Sequence, residues 1–563
     1  MHIQQEVAMV LRYIYITVLC FPIALYAHPR YTLISPNIEV SGDFGRSVSG
    51  GGDVNNDGYD DIIVGARNEN SQPGVSASGR VYVFNGRTGN LLYQLVSPNE
   101  EASGHFGYSV AFIGDVNGNG CDDFAVGANW EEDDIDPASS GRAYLFEGLT
   151  GDLLHTLESG LLSEHGNFGI SIAAAGDVDN DTIGDVIVGA YQENEEAGPE
   201  NAGRAHVFSG ATGSRILSLV SPNEQYNGRF GWSVSSMGDI NGDNHDDLLV
   251  GAYGETPGPG PSSPGAVYVF SGATGDTLYT VYSPLAETTG YFGWSVSGTG
   301  DFNDDATRDI IAGGIFEEPG GSPYAAGRAH VFSGVDGAFI RTMVSPNEME
   351  SGLFGSAVFG VSDMDGDTVD DYLISASDEF LGIEPENTGI AYLFSGSSGS
   401  LIMTFIPPNP ETDGCFGGSL CDAGDVNGDG YSDLIVGAEE ENAGGVPDAG
   451  RAYIYSPGTV VLSCYIDGGS LVLDWTPWTY TDEIYAYWIY GADNTSYFTP
   501  VVISPYTFRQ DMVDHSIQTW QSSQGLNDPD NNWTYVIVAV DEFDQMIYQS
   551  NRVGEWEYTV VSP

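Results

Sequence analysis

FGYSVAFIGDVNGNGCDDFAVGA, residues 106–128, carries the pattern that decides the fold, because the chain repeats it seven times. A Phe-Gly pair opens each copy, at Phe44, Phe106, Phe168, Phe230, Phe292, Phe354 and Phe416, and every step is 62 residues. Nine residues after each Phe stands an Asp: Asp53, Asp115, Asp177, Asp239, Asp301, Asp363 and Asp425. Self-similarity at a fixed period marks a repeat architecture. Each unit reads as four short strands. In the second copy these are FGYSVAFIG, DDFAVGA, GRAYLFEG and DLLHTLES, separated by turns rich in Gly and polar residues. Four antiparallel strands per repeat make a propeller blade, so the spacing predicts an all-β, seven-bladed β-propeller over residues 28–458.

The same register predicts how the ring closes. YTLISPNIEVSGDFG from Tyr31 matches YQLVSPNEEASGHFG from Tyr93, so a fourth-type strand stands before the first repeat. The seventh repeat stops after GRAYIYSPG, at Gly458, without one. The strand around Tyr31 to Ser35 is therefore expected to complete blade seven, leaving no unpaired edge.

Each of the seven Asp residues opens a nine-residue loop with oxygen side chains at alternate positions. The first supplies Asp53, Asn55, Asp57, the carbonyl of Tyr59, and Asp61. The second supplies Asp115, Asn117, Asn119, Cys121 by its carbonyl, and Asp123; the third Asp177, Asp179, Asp181, Ile183 and Asp185. The fourth has Asp239, Asn241, Asp243, His245 and Asp247; the fifth Asp301, Asn303, Asp305, Thr307 and Asp309. The sixth has Asp363, Asp365, Asp367, Val369 and Asp371; the seventh Asp425, Asn427, Asp429, Tyr431 and Asp433. A curled loop of this kind turns its oxygens toward one centre, which suits Ca²⁺ with its 6–8 oxygen ligands rather than Zn²⁺, which selects His and Cys. Up to seven Ca²⁺ ions, one per blade, are expected. The loop is not an EF-hand, which closes with Glu at position twelve between helices. Gly58, Gly120 and Gly430 occupy the sharp sixth position. Thr182, Asn244, Ala306 and Thr368 stand there in the other four loops, which predicts weaker ones.

Composition agrees with a cation-loaded chain. The 563 residues carry 80 acidic side chains against 16 basic ones, all Arg, for a net charge of −64. That excludes nucleic-acid binding by phosphate neutralisation. Such a chain repels itself unless bound cations or salt offset the charge. Arg12, the apolar run from Tyr13 to Tyr26, and Ala27 read as a secretory signal peptide over residues 1–27, so a secreted, extracellular or cell-surface location is expected. No other run is long enough to span a membrane. Cys415 and Cys421 stand six residues apart on one expected strand, about 20 Å, too far for a disulfide.

These residues resemble the integrin α-subunit, or FG-GAP repeat, family. The likeness rests on Phe-Gly, then the GDVNxDGxxD loop, then Gly-Ala, as in Gly65-Ala66 and Gly437-Ala438, and it covers about Tyr31 to Gly458. It implies Ca²⁺ in the loop between each blade's first two strands, on the face away from the usual ligand site. Integrin propellers carry the loop in only some blades, whereas here all seven have it. Leg domains, a membrane helix and a cytoplasmic tail are not found, so an integrin-like signalling role is not expected. Residues 459–563 resemble a fibronectin type III module, with SLVLDWTPW, YWIYG and YVIVAVD as strands of a small β-sandwich; another small sandwich is the alternative.

No Gly-x-Ser-x-Gly, His-Glu-x-x-His or Cys-x-x-Cys motif is present, and an enzyme is not expected. The first reading is an extracellular adhesion or ligand-binding module with structural calcium, monomeric, binding an unidentified protein or glycan. The others are a lectin-like propeller and, third, a polysaccharide-active enzyme. A lectin predicts an aromatic-polar pocket recurring in each blade, and none is legible. The loops after Gly-Ala vary in sequence and share one end of the blades with the SPNE loops, opposite the calcium loops, so the ligand is expected there. Glu131, Glu132, Asp133 and Asp134, with Glu193, Glu195 and Glu196, are placed on that face as exposed charges expected to repel anionic partners and favour cationic or calcium-bridged ones; neutralising Glu131 to Asp134 is expected to leave stability nearly unchanged. His105, Asn167, Arg229, Tyr291 and Leu353, just before Phe-Gly, and Trp232 and Trp294, just after it, are read first as packing between blades and second as ligand contacts. The His245 side chain is expected to point outward.

Overall fold

The computed structural model describes residues 26–27, 29–132, 139–161, 165–195, 198–318, 323–382, 385–428 and 430–456, together with eight strands between 462 and 554. Every described element is a strand. Seven blades of four antiparallel strands follow one another; in the first six the four strands pair in chain order, and in the seventh the outermost strand comes from before the first repeat. In blade one these are Phe44–Gly52, Asp61–Ala66, Arg80–Phe84 and Leu91–Leu95. The pattern of burial explains the layering. The second strand, DIIVGA, is buried along its whole length, as a strand covered on both faces must be, whereas the fourth, LLYQL, is largely exposed at the rim.

The core lies between neighbouring sheets. Phe44, Ile62, Val64 and Tyr82 of blade one pack with Ile435 and Ile454 of blade seven and with Leu33. First strands bond across blades around the centre: Ser47 Oγ donates to the Gly107 carbonyl at 2.9 Å, and Phe112 N to Ser49 Oγ at 3.1 Å. The Gly of Gly-Ala permits this approach, since a Cβ on Gly65 would lie 2.1 Å from the Gly107 oxygen.

The ring closes as the register predicts. Tyr31–Leu33 pairs antiparallel with Arg451–Tyr455, Tyr31 facing Ile454 and Leu33 facing Ala452. Ser419 Oγ then donates to the Gly45 carbonyl at 2.8 Å, the bond that Ser47 makes to blade two. Blade six gains one feature outside the repeat: Tyr26–Ala27 pairs parallel with Leu401–Phe405. The rest of the expected signal peptide lies outside the described residues.

Contacts separate the unit Leu25–Thr459 from a second that contains Val460–Pro563. In the second, Leu462–Asp467, Ser470–Trp475 and Thr519–Gln521 form one antiparallel sheet. Phe508–Asp514, Ala486–Asp493, Trp533–Val540 and Met546–Gln549 form another, and Val553–Gly554 pairs with Trp533–Val540.

Candidate functional site

The nine-residue loops are organised by their own carboxylates. Asp53 Oδ1 accepts from the backbone N–H of Asn55 and Asp57, and its Oδ2 from Gly58 at 2.8 Å. The closing Asp61 is fully buried, accepting from Val54 N at 3.2 Å and from Gly86 N at 3.1 Å on the next turn of the blade. Asn55 Nδ2 ties to it at 2.9 Å. The same bonds recur in the other loops, as at Asp239 with Asp243 and Asn244, and at Asp247 with Ile240, Asn241 and Gly272.

Among the described residues, two loops bring carboxylate oxygens of three Asp side chains within 4.8 Å of one another: Asp177, Asp179 and Asp185, and Asp363, Asp365 and Asp367. Those are the loops with Asp at the third position. In the others Asn stands there and supplies a neutral oxygen, so the same curl gathers fewer charges. Burial, with neighbouring loop carboxylates adding to it, pushes Asp61, Asp185, Asp309 and Asp371 up to about 7 and Asp123 and Asp247 up to about 6. An all-oxygen donor set, curled and charge-crowded, fits a hard cation of calcium's size. Asp429 lies outside the described residues.

At the sixth position Gly58, Gly120 and Gly430 have φ of 86–87°, and Thr182, Asn244, Ala306 and Thr368 have φ of 73°, 65°, 65° and 78°. The turn is the same with or without glycine, so the residue type changes strain rather than shape. Thr182→Gly and Thr368→Gly are each expected to stabilise the protein by about 1 kcal/mol, the left-handed strain less the chain entropy that glycine adds. Thermal unfolding checks this, and an unchanged or lower Tm would refute the strain argument.

His245 does not point outward. Its Nδ1 lies 2.6 Å from the Val178 carbonyl in the preceding blade, because the nine-residue loops sit close enough for a long side chain to bridge them. The eighth loop residue does the same by a route that sequence reading missed. Asp122 Oδ2 accepts from Asp53 N, Asp246 from Asp177 N, Asp370 from Asp301 N and Asp60 from Asp425 N, at 2.7–3.0 Å. The 62-residue register carried the signal: four of seven copies have Asp there.

At the opposite end, Glu131 and Glu193 correct the expectation of exposed charge. Glu69, Glu131, Glu193, Glu255, Glu317, Glu379 and Glu441 recur every 62 residues, each at most 1 % exposed. Each accepts from the third strand: from Tyr82, Tyr144, Tyr268, Tyr392 and Tyr453, or from His206 and His330, both at 2.6 Å. Burial pushes Glu69, Glu131, Glu255 and Glu379 up to about 7 and Glu441 up to about 8. Asp133, Asp134 and Glu196 lie outside the described residues.

A carboxyl that holds its proton more tightly folded than unfolded stabilises the fold while protonated. That contribution is lost as pH rises from 4.5 through about 7. Glu131→Gln keeps an acceptor for Tyr144 and removes the titration. It is expected to be near neutral at pH 5 and stabilising by on the order of 1 kcal/mol at pH 8.5. Equal effects on Tm at both pH values would refute this.

The innermost strands shape the mouth on this face. Pairing slips between Phe230 and Ser233 and between Phe292 and Ser295, a bulge that re-aims the intervening Trp232 and Trp294. Their rings meet at 4.7 Å between centroids, and Tyr253 lies 5.3 and 5.0 Å from them. Tyr191 extends the row beside Trp232, Tyr291 beside Tyr253, and Phe316 beside Tyr291. All six are half-buried. On the same face Trp130, 46 % exposed, packs tilted against His105 at 4.6 Å and donates to Asn167 Oδ1 at 2.8 Å. Asn167 and Asn129 are linked at 3.2 Å, and Asn167 donates to Gln192 Oε1 at 2.7 Å. Arg46 and Arg67 lie over Tyr108 and pair with Glu439, Arg67 also with Asp43. Trp232, Trp294, His105, Asn167, Arg229 and Tyr291 are thus brought to one mouth, while Tyr253, Tyr191, Phe316 and Trp130 were missed because their loops looked merely variable.

The FG-GAP repeat family model matches residues 44–84, 106–146, 168–208, 230–270 and 416–455. The two unmatched copies, from Phe292 and Phe354, form blades of the same four strands; they carry Gly313-Gly314 and Ser375-Ala376 where the others have Gly-Ala. The chain is similar to integrin alpha-5 of Xenopus laevis, 32% identical over 224 residues, 38% of this chain and 20% of the relative. It is 30% identical to integrin alpha-PS2 of Drosophila melanogaster over 217 residues, 36% of this chain and 15% of that one. Integrin alpha-IIb of Homo sapiens is 36% identical over 164 residues, 28% of this chain and 15% of that one. The chain thus spans a fifth or less of the length of these relatives. Register, blade geometry and these likenesses agree that the chain carries FG-GAP repeats and folds as an integrin α-like FG-GAP β-propeller.

Proposed function

We propose that the chain is a secreted or cell-surface ligand-binding module, an adhesion protein rather than an enzyme. Ca²⁺ is held in the seven loops at one end and a protein or glycan ligand is taken at the other. The observation that supports it most is the separation of two unlike ends on one ring. Curled oxygen-bearing loops repeat without exception at one end, while one half-buried aromatic row, pooled from three blades, stands at the other. Asp53, Asn55, Asp57 and Asp61, with the Tyr59 carbonyl, would hold the first ion, and the equivalent residues of the other loops the rest. The ion would neutralise the crowded carboxylates and pin the turn between strands one and two. The propeller is read as residues 28–458 behind a cleaved leader, 1–27, with a fibronectin type III-like domain over 459–563.

Equilibrium dialysis against Ca²⁺ tests the metal half of this reading. Binding of several ions per chain is expected, reduced by one ion in Asp185→Ala. A chain that takes up no calcium at millimolar concentration would overturn it.

A further inference from the structure

We infer that the aromatic mouth of blades three to five is a binding site for a neutral glycan, whose sugar faces lie on Trp232, Trp294 and Tyr253 and whose hydroxyls meet the half-buried Gln192 amide, which the buried Asn167 and Asn129 hold from behind. This deepens the ligand-binding reading above and rests on it.

A contiguous, half-exposed aromatic row with polar groups at its border is the ordinary make-up of a ligand site. Its rings are amphipathic: the tyrosines and tryptophans offer an apolar face and a polar edge, which suits a molecule with C–H faces and hydroxyl edges. Charge selects among ligands. The arginines of this face already lie over its outer rings, Arg46 and Arg67 over Tyr108 and Arg229 over Tyr191. The Arg229 guanidinium lies 5.1 Å from the centre of the Tyr191 ring, at the end of the row. A cationic ligand would therefore meet a resident guanidinium rather than a counter-charge. An anionic one would be repelled by a chain of net charge −64.

The border is neutral and hydrogen-bonding. Trp130 and Asn129 both donate to Asn167 Oδ1, and Asn167 passes the chain of bonds to Gln192, the neighbour of Tyr191. Asn129 is 1 % exposed, so it fixes Asn167 from behind and Asn167 in turn fixes the amide of Gln192 at the border. A glycan site need not recur in every blade, because the bulge after Phe-Gly delivers residues of successive blades to one mouth.

The full, calcium-loaded chain is tested on an array of neutral gluco-, manno- and galacto-oligosaccharides. Polygalacturonate, heparin and polyarginine form the charged arms, and the best neutral probe is followed by calorimetry. Binding of a neutral oligosaccharide is expected, with a change in tryptophan fluorescence. Trp232→Ala and Trp294→Ala are each expected to lose about thirtyfold in affinity, the size of an aromatic hot spot. Should either variant not melt like the parent, Tyr291→Ala, at the far end of the row, is read in its place. Binding of charged probes alone, of none, or of neutral probes with undiminished affinity in the variants overturns the proposal. Tm with and without calcium is recorded on the same samples. A calcium-dependent Tm with no neutral glycan bound sinks the glycan inference and leaves the calcium-binding module standing.

Discussion

Removing calcium is expected to lower the melting temperature by about 10 °C at low salt. Extracellular calcium modules bind with Kd near 10⁻⁴–10⁻³ M, so about 10 mM Ca²⁺ stabilises each filled loop by about 1.4–2.7 kcal/mol. Seven loops reach on the order of 10 kcal/mol, which for a propeller of this size is about 10 °C. The physical reason lies in the closing Asp residues. Asp61, Asp123, Asp185, Asp247, Asp309 and Asp371 are buried beside further carboxylates, and each is pushed up from its ordinary range. Differential scanning calorimetry in chelator, then in calcium, measures it. A chelator-insensitive Tm in low salt would refute the prediction. If NaCl alone restores full stability in chelator, screening of the −64 charge, not loop occupancy, is the stabilising agent.

Deleting residues 31–36 is expected to cost on the order of 5 kcal/mol and to make the protein self-associate. The deletion removes the antiparallel partner of Arg451–Tyr455, the pairing of Tyr31, Thr32 and Leu33 with Ile454, Tyr453 and Ala452. It also removes Leu33, 3 % exposed in the core between blades seven and one, and Ser35, whose Oγ donates to Tyr82 at 3.1 Å. Burial of a leucine contributes about 2 kcal/mol, and each ladder bond about 1 kcal/mol. The edge left on blade seven would template pairing with another chain. Size-exclusion chromatography and thermal unfolding read both effects. A monomeric deletion variant with the parent's Tm would show that the strand does not hold the ring.

The loops after Gly-Ala hide a structural position behind a variable sequence. They differ in sequence, and the difference suggested free, specificity-bearing charge. Their third residue is Glu in every copy, and a charge that recurs at a fixed register is a structural position. The folded chain shows why: that Glu turns inward onto the Tyr or His thirteen positions on, twelve in blade seven. His at 206 and 330 takes the place of Tyr because either side chain can donate to the same oxygen.

The sequence by itself determined the blade. A 62-residue period, strict alternation of strand and turn signals, and oxygen side chains at alternate loop positions are local facts, and local facts are written in sequence spacing. The ring closure was legible as well, since Tyr31–Ser35 repeats a strand that the seventh copy lacks. Only the tertiary structure decided what the blades do to one another. Asp60 meeting Asp425 and Ser419 meeting Gly45 join residues more than 360 positions apart. Trp232, Tyr253 and Trp294 become one surface only because the first strands crowd round a centre and a bulge turns their side chains to its mouth. Spacing along a chain specifies contacts within a blade. The angle between blades, and therefore which side chains share a mouth, is set by packing between sheets.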